Sequence, residues 1–310
     1  MKKTLLMKHF YLLFPILILL LSCSSPQPVE ISDQNLAGAV RVALGLAPSE
    51  PIFQKNLDEL KRLSAPNAGI TDLTGLEKAK NLVSLQLDRN QISDITPLMD
   101  LVQLTVLNLR MNQIADLAPL AGITKLTKLE ISGDQIDDIT PLKGMTQLTE
   151  LSISNCQISD ISPLKNLKHL TNLSISKSQI SDITPLNELT QLKKLSLSYA
   201  KIRDITPLEN LTQLTGLRLV SNQIYDITPL KNLTQLTDLW LVSNQINDIT
   251  PLKNLTHLSS LLISFNQIKS VSVVENLTSL KDLGIKGNPI QDLTPVHRLR
   301  KKLPNLKLNM

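Results

Sequence analysis

The residues that could carry out chemistry are few, and their spacing keeps them apart. His169, His257 and His297 are the histidines that follow the first 22 residues. The first two occupy the same position of a repeated pattern, four copies apart, which separates them by roughly 20 Å at strand spacing. They therefore cannot share a metal ion. The sequence has no HExxH or GxSxG motif and no glycine-rich phosphate loop, and it holds only ten glycines. We predict no enzymatic activity, no catalytic residue, no cofactor and no metal.

Aspartates recur at one position of the repeated pattern and are predicted to form a column. A column of carboxylates can bind cations such as Ca²⁺. An Asp can instead bond the backbone of the turn that it begins, and we favour this local role. The column consists of Asp94, Asp116, Asp138, Asp160, Asp182, Asp204, Asp226 and Asp248.

The elements that would position any functional group are copies of one 22-residue pattern. A representative copy covers residues 235–256 and reads QLTDLWLVSNQINDITPLKNLT. No residue is gained or lost between copies over residues 59–278, although the first copy is looser than the others. Constant spacing of this kind predicts a solenoid, whose stacked units share one continuous core. The regular copies begin at Asn81, Gln103, Lys125, Gln147, His169, Gln191, Gln213, Gln235, His257 and Ser279.

Within a repeat, apolar residues recur at positions 2, 5, 7, 12, 15, 18 and 21, counted from its first residue. Positions 4 to 8 alternate between polar and apolar side chains, which predicts a short strand with one buried face. The segment Asp-Ile-Thr-Pro-Leu follows. Because Thr is a good N-cap and Pro is tolerated at the first helical position, we expect a short 3₁₀ segment there.

Position 10 of the repeat is usually Asn, which we expect to turn inward and bond the backbone of adjacent repeats. The central repeats carry Asp134, Cys156, Ser178 and Ala200 at this position. The first three would keep part of the bonding, whereas Ala200 cannot, so the ladder is predicted to be weakest there. Cys156 is therefore predicted to be a buried ladder residue and not a reactive thiol, and no disulfide framework is expected.

Leu236, Leu239, Leu241, Asn244 and Ile246 match the motif L-x-x-L-x-L-x-x-N/C-x-L, which recurs through roughly 240 residues. The sequence thus resembles the leucine-rich repeat family, specifically its 22-residue bacterial class found in internalins. The resemblance implies an α/β solenoid: an arc with a parallel concave β-sheet, short convex 3₁₀ segments, a helical N-terminal cap and a C-terminal cap. Family members share this scaffold and differ in what they bind.

The first 22 residues have the features of a secretory signal peptide. Three lysines precede an apolar run over residues 10–21, which Pro15 interrupts and which is short for a membrane span. The run ends in Leu-Leu-Ser-Cys, which resembles the lipobox of bacterial lipoproteins and implies that Cys23 is lipidated after cleavage. Ordinary cleavage nearby is the alternative. Ser24, in place of Asp, resembles an outer-membrane sorting signal of enteric-type bacteria.

Both ends of the solenoid are predicted to be capped. Residues 33–44 have helical spacing with Ser32 or Asp33 as N-cap, and a second helical stretch is expected over residues 54–63. At the other end we expect a closing helix with Leu299 and Leu303 inward. The predicted divisions are a signal peptide (1–22), a lipidated Cys and tether (23–30), a helical N-terminal cap (31–58), ten 22-residue repeats (59–278), and a last degenerate repeat with the C-terminal cap (279–310).

The charge balance argues against a nucleic-acid partner. The formal charge is +5, but three of the 32 basic residues lie in the predicted signal peptide, which leaves 29 basic against 27 acidic side chains. The mature chain is therefore near neutral, with no basic stripe along the repeats. The basic cluster over residues 297–302 is interpreted as a solvated cap face, with contact to anionic lipid or nucleic acid as the alternative.

Recognition is better supported by the sequence than catalysis. Positions 4, 6 and 8 of each repeat should point out from the concave sheet, and position 9 should lie at its edge. Five aromatic residues follow residue 22, and three of them fall on this surface within four consecutive repeats. Aromatic and Arg side chains dominate binding hot spots. The predicted contact residues are Tyr199, Arg218, Val220, Trp240, Val242, Leu262 and Phe265.

We therefore expect a non-enzymatic, membrane-anchored bacterial lipoprotein of the cell envelope, in the outer membrane or at the cell surface. The concave face of its repeats is predicted to bind a protein or glycan ligand, and the chain is expected to be monomeric. A host-cell receptor is conceivable from the resemblance alone. The alternative is a passive envelope spacer without a dedicated ligand, in which Trp240 only fills a gap beside its neighbours.

Overall fold

The computed structural model describes residues 26–133 and 135–310, so the predictions made for Cys23 and Asp134 fall outside the described residues. Within them, twelve parallel strands form one sheet in which every strand pairs with the next one along the chain. The predicted solenoid fold is confirmed. The strands are β1 Arg62–Ser64, β2 Ser84–Gln86, β3 Val106–Leu109, β4 Lys128–Ser132, β5 Glu150–Ser154, β6 Asn172–Ser176, β7 Lys194–Ser196, β8 Gly216–Arg218, β9 Asp238–Trp240, β10 Ser260–Leu262, β11 Asp282–Gly284 and β12 Lys307–Asn309.

The constant repeat length sets the register of the sheet. Leu217 pairs with Leu239, and Leu239 pairs with Leu261, so equivalent positions of successive repeats lie directly beside each other. The inward side chains form continuous rows as a result. In the repeat that begins at Gln235, the apolar residues at positions 2, 5, 7, 12, 15, 18 and 21 are all buried. Burying each Leu or Ile contributes about 1.5–3 kcal/mol, and these rows make up the core.

Most strands are shorter than the predicted five residues. They cover positions 4 to 6, whereas β4, β5 and β6 extend to position 8. These three strands belong to repeats that lack Asn at position 10. In these repeats, backbone hydrogen bonds between neighbouring repeats replace part of the bonding that the Asn side chain makes elsewhere. The Cys156 N–H donates to the Lys177 carbonyl at 3.1 Å, and the Ser178 N–H donates to the Tyr199 carbonyl at 3.2 Å.

Short 3₁₀ helices occupy the convex side, as predicted, but Thr does not cap them. Each regular segment begins at or near Thr with Pro next, and no Thr side chain makes a capping bond. The cap is the preceding Asp, because Asp248 Oδ1 accepts the Thr250 N–H at 2.8 Å. The 3₁₀ segments are Leu76–Lys78, Thr96–Leu98, Ala118–Leu120, Thr140–Gly144, Ser162–Asn166, Thr184–Leu186, Thr206–Leu208, Thr228–Asn232, Thr250–Asn254 and Ser272–Asn276.

The Asp column therefore takes the local role that was favoured for it. Each of its members accepts the N–H of the residue two positions later at 2.7–2.8 Å. Bonds from the hydroxyl and the N–H of the following Thr lower the pKa of four of these carboxyl groups. They are Asp94, Asp138, Asp182 and Asp204.

The Asn ladder connects each repeat to the one before it. Asn244 Oδ1 accepts the Ile224 N–H at 3.1 Å, and its Nδ2 donates to the carbonyls of Leu219 at 2.9 Å and Leu241 at 3.0 Å. One side chain thus satisfies three buried backbone groups that the sheet does not reach. The same inward arrangement holds for Asn90, Asn112, Asn222, Asn266 and Asn288.

The ladder fails earlier in the chain than was predicted. Burial raises the pKa of the Cys156 thiol, and the Ile158 N–H bonds this sulfur within the same repeat, so the bond is local and does not connect adjacent repeats. The prediction that Ser178 keeps part of the ladder bonding is wrong, because its buried Oγ has no hydrogen-bond partner among the described residues. The Ser side chain is one bond too short to reach the groups that an Asn amide contacts.

A second ladder was not predicted from the sequence. Hydroxyl groups at position 3 donate to the carbonyl at position 3 of the preceding repeat, as Thr237 Oγ1 does to Thr215 at 3.0 Å and Thr127 Oγ1 to Thr105 at 3.1 Å. The periodic Thr at this position was the available signal. The two ladders hold successive repeats together at both ends of the strands.

At the N-terminal end, helices α1 (Gln34–Leu44) and α2 (Gln54–Glu59) precede the sheet. Asp33 is the N-cap of α1, and its other carboxylate oxygen accepts the Thr71 N–H at 2.8 Å, which ties this helix to the first repeat. Helix α2 is shorter than predicted. Leu63 belongs to β1, where it pairs with Leu85 in the register of the repeats, and this pairing overrides the helical spacing.

At the C-terminal end, helix α3 (Thr294–Lys302) closes the solenoid with Leu299 fully buried. Leu303 packs against the core as predicted, but it is half-buried and lies at the C-cap, just beyond the last helical residue. Strand β12 then extends the sheet by one strand that the sequence did not predict.

In the described ranges of the chain, every helix is too short or too polar to cross a bilayer.

The first prediction concerns the Asn ladder. Replacing Asn244 with Ala should lower the free energy of unfolding by about 1–3 kcal/mol, because the Ile224 N–H would be left buried and unpaired. Urea denaturation followed by circular dichroism measures the change. Asn247→Ala, an exposed residue of the same repeat, is the control and should stay within about 0.5 kcal/mol of wild type. Equal effects of the two substitutions would contradict the role given to the ladder.

Candidate ligand-binding surface

Position 6 of the repeats forms a row across the concave sheet, and its composition changes sharply along the solenoid. Strand pairing places Arg218 beside Trp240, Trp240 beside Leu262, and Leu262 beside Gly284. The three members of the row immediately before Arg218 are serines, namely Ser152, Ser174 and Ser196. The larger side chains therefore form a cluster that projects above the neighbouring surface of serines.

The centre of this cluster is a stacked pair. The Arg218 guanidinium lies over the Trp240 ring, 3.9 Å from its centroid. The indole Nε1 donates to Ser260 Oγ at 3.3 Å, which fixes the ring from its other side. An exposed cation–π contact of this kind contributes about 0.5–1 kcal/mol. Trp240 is half-buried and Arg218 is exposed, so both present surface to solvent.

Apolar side chains extend the cluster along the sheet. Leu262 leans over Gly284, where an added Cβ would lie 3.0 Å from Leu262 Cδ2, so the glycine provides the space that the leucine fills. Val220 and Val242 at position 8 are half-buried and continue the apolar surface toward the strand ends. Five of the predicted contact residues thus lie in three neighbouring repeats, within their strands or just beyond the strand ends.

The remaining two predicted residues lie at the rim. Tyr199 and Phe265 occupy position 9, where the chain is left-handed with φ of 59° and 56°, and their side chains are 55% and 54% exposed. The Phe265 ring covers Gly287, since a Cβ there would lie 2.6 Å from the ring. Left-handed backbone costs a non-glycine residue about 1–2 kcal/mol, and nine of the repeats place such a residue at position 9 in this conformation. These residues are Asn67, Arg89, Met111, Asn155, Lys177, Tyr199, Ser221, Ser243 and Phe265.

A depression of about 420 Å³ adjoins the cluster on the concave face. Its floor is made of the serines at position 6, and Arg218 borders one end. At the other end Lys128 Nζ lies 3.1 Å from Glu130 Oε1 and 3.3 Å from Glu150 Oε2. The hydrogen bond that Lys128 donates to Glu130, with a further one to Glu150, raises the pKa of Lys128 despite its partial burial. This ion-pair network was not predicted from the sequence, although the charges at positions 4 and 6 of adjacent repeats were the available signal.

The groups that could serve catalysis remain apart in the structure. His169 Nδ1 lies 2.9 Å from the Thr146 carbonyl, and His257 Nδ1 lies 3.0 Å from the Thr234 carbonyl, so each ring bonds its own neighbouring repeat. Among the described residues, no three His, Cys, Asp or Glu side chains are placed to hold a metal ion. The concave face therefore offers a ligand apolar contact surface, hydrogen-bonding groups and charged side chains.

The stacked pair generates the second prediction. Trp240 is the single tryptophan of the chain, so its intrinsic fluorescence reports on this cluster alone. Arg218→Ala should change the emission maximum and the accessibility to iodide quenching, because the guanidinium shields one face of the ring. Arg203→Ala, which removes a surface arginine bonded to Gln223 instead, is the control. Unchanged fluorescence in the first variant would show that the stacked pair does not form in solution.

Comparisons with known proteins agree with this architecture. The family model described as Leucine Rich repeats (2 copies) matches residues 102–144, 146–188, 169–210 and 212–254. A sequence search among curated proteins found no match. An internalin (InlF) from Listeria monocytogenes has a similar structure, with 30% identity and a TM-score of 0.75. The alignment covers 93% of this chain and 98% of that one.

Two further structures are similar. Internalin C2 (InlC2) of Listeria monocytogenes is 35% identical with a TM-score of 0.57, and the match covers 76% of this chain and 96% of that one. A leucine-rich repeat protein of Leptospira interrogans, at 20% identity and a TM-score of 0.55, covers 76% of this chain and 74% of its own and shares the fold. The repeat motif, the stacked architecture and the two Listeria relatives together show that the chain is an internalin-like member of the leucine-rich repeat family.

Proposed function

We propose that this protein is a non-enzymatic interaction scaffold that binds a protein ligand on the concave face of its repeats. The observation that carries the proposal is the Arg218–Trp240–Leu262 cluster, three adjacent strands of large side chains beside a serine-lined depression. Leucine-rich repeat proteins generally bind protein partners, and solenoids use their concave surface for this purpose. The anchors would be Trp240 and Arg218, with Leu262, Val220, Val242 and Phe265 around them.

The composition of the cluster supports a protein ligand in particular. Trp and Arg are the residue types most enriched among binding hot spots, and they act best where neighbouring contacts exclude water. Trp240 is already held by Arg218 and Ser260, so little side-chain freedom would be lost on binding. The ion pairs of Lys128 at the far end of the depression would add charge complementarity, which sets the orientation of a partner.

We further propose that the protein is a monomeric lipoprotein of the bacterial cell envelope, anchored through Cys23 in the outer membrane or at the cell surface. The Leu-Leu-Ser-Cys sequence supports lipidation of this residue, and the polar segment that follows would act as a tether. The attached solenoid would then present its concave sheet to partners outside the membrane.

A passive envelope spacer is the second candidate. The Ser260 bond and the Arg218 stack satisfy Trp240 within the protein itself, which is what a residue that merely fills a surface gap would show. The uninterrupted repeats would also make a stiff element. Loss of the large side chains distinguishes the two functions, since a spacer would change only slightly in stability.

The third prediction tests the concave face. The chain from residue 24 onward should capture a protein from envelope or host-surface extracts, and the Trp240→Ala, Phe265→Ala double variant should lose it. Tyr225→Ala is the matched control, because Tyr225 is an exposed aromatic outside the cluster, with 62% of its surface accessible. Circular dichroism would verify the folding of every variant. Equal capture by the double variant would place the site elsewhere, and no capture by any of them would favour the spacer.

The fourth prediction tests the anchor. Expressed from its full gene in a lipoprotein-processing bacterium, the protein should enter the detergent phase on Triton X-114 partition, and Cys23→Ala should move it to the aqueous phase. Mass spectrometry of the N-terminal peptide would detect the acyl chains, whereas Cys156→Ala should change neither result. An unmodified Cys23 in the processed protein would refute the lipoprotein proposal.

A further inference from the structure

A second concave surface lies at the rim of the sheet, where the Asn ladder is interrupted. Two depressions of about 530 and 440 Å³ lie beside the carboxyl ends of the central strands. Both are lined by Asn155 and Lys177, so they adjoin each other, and we call the two together the rim groove. Met111 lies at one end and Tyr199 at the other. These residues share position 9 of repeats four strand spacings apart, or about 19 Å.

A buried polar group lies beneath this groove. Ser178 is among its lining residues and is only 4% exposed. Within the described portion of the chain, its Oγ is the buried side-chain polar atom without a hydrogen-bond partner. Buried polar atoms are nearly always bonded, and exceptions call for an explanation. Asn occupies the equivalent position in the regular repeats and bonds the backbone there, so the serine leaves a free donor and acceptor below the groove.

The backbone around the groove is not available to a ligand. The Cys156 and Ser178 N–H groups donate to the next repeat, while those of Gln157 and Gln179 donate to the preceding one at 2.8 Å. A peptide therefore cannot add here as an extra strand, because strand addition depends on unpaired backbone groups. Recognition is left to side chains.

Those side chains are predominantly neutral and hydrogen-bonding. Exposed carboxamides at position 11 follow one another along the groove, contributed by Gln135, Gln157 and Gln179. Each carboxamide offers donors and an acceptor at once, which complements a sugar hydroxyl, itself both donor and acceptor. Lys177 is the single charged residue among those described that line the two depressions. At one end the exposed Tyr199 presents a flat ring with a polar tip, suited to the apolar face of a sugar ring.

We propose that the rim groove binds a neutral oligosaccharide. The row of amides would bond successive sugar hydroxyls, Tyr199 would stack on a terminal ring, and the Ser178 hydroxyl would bond a group that enters from the groove. Among the described lining residues the one charge is the Lys177 ammonium, so the amides dominate the polar contacts offered to a sugar, and the engaged backbone disfavours a peptide. This is a second site, and it does not depend on protein binding by Trp240.

The test is isothermal titration calorimetry of the full chain with three neutral tetrasaccharides: cellotetraose, mannotetraose and tetraacetylchitotetraose. At least one should bind, and Gln157→Ala, Gln179→Ala and Tyr199→Ala should each weaken that binding, the Gln double variant by at least tenfold. The matched controls are Gln245→Ala, Gln267→Ala, exposed residues of the same repeat position outside the groove, and Tyr225→Ala. Circular dichroism confirms folding.

No binding of any tetrasaccharide would overturn the proposal, as would equal losses in the control variants. A neutral hexapeptide, (Gly-Asn)₃, serves as the competing probe. If the peptide binds in a Gln157- and Gln179-dependent manner and the sugars do not, the groove is a peptide site and the proposal is wrong.

Ser178→Ala separates a ligand role from a structural one. Removing an unpaired buried hydroxyl should leave the protein equally or more stable to heat, yet it should weaken sugar binding at least threefold. Unchanged affinity in this variant would show that the Ser178 hydroxyl does not face the ligand, which would overturn that part of the proposal.

Discussion

The whole structure depends on one constraint: a single repeat cannot form hydrogen bonds to all of its own backbone N–H and C=O groups. Three-residue strands and tight turns leave polar groups that must bond the repeats on either side. The Asn amides meet this need within the solenoid, as Asn244 does for three backbone groups, and the Thr hydroxyls meet it at the opposite strand ends. Because every bond reaches one repeat along the chain, the length of 22 residues cannot vary without breaking register.

Because the core and the ladders lie inside the solenoid, the residue types on the concave face can vary between repeats. Inward positions are fixed by the core and the ladders, whereas position 6 lies outside both ladders and changes from Ser to Arg, Trp and Leu along the same sheet. The change occurs between Ser196 and Arg218, in adjacent strands. A uniform scaffold thus carries a local cluster, and the serine floor beside it leaves the depression into which a partner would fit.

The central repeats show what happens when the ladder is relaxed. In three of the four repeats that lack Asn, strands β4 to β6 are longer and the backbone takes over part of the bonding, but Ser178 is left with an unpaired hydroxyl among the described residues. At Gly133 the chain comes so close to the Ile114 carbonyl that a Cβ would collide with it. The surface above these repeats is hollowed into the rim groove. The proposed rim groove thus coincides with the repeats whose position 10 departs from Asn.

The sequence by itself determined the architecture, because a periodic pattern of buried side chains at constant spacing leaves a solenoid as the one way to bury them all. It also identified the inward Asn residues, the convex 3₁₀ segments and the concave positions of Arg218, Trp240 and Leu262. Only the tertiary structure decided which side chains meet across repeats. The stacking of Arg218 on Trp240, the Lys128 ion pairs and the unpaired Ser178 depend on distances between residues about 22 positions apart, and these depend on side-chain rotamers that no spacing rule specifies. The helix end at Glu59 was likewise decided by pairing of Leu63 with the neighbouring strand, a long-range interaction that overrode local propensity.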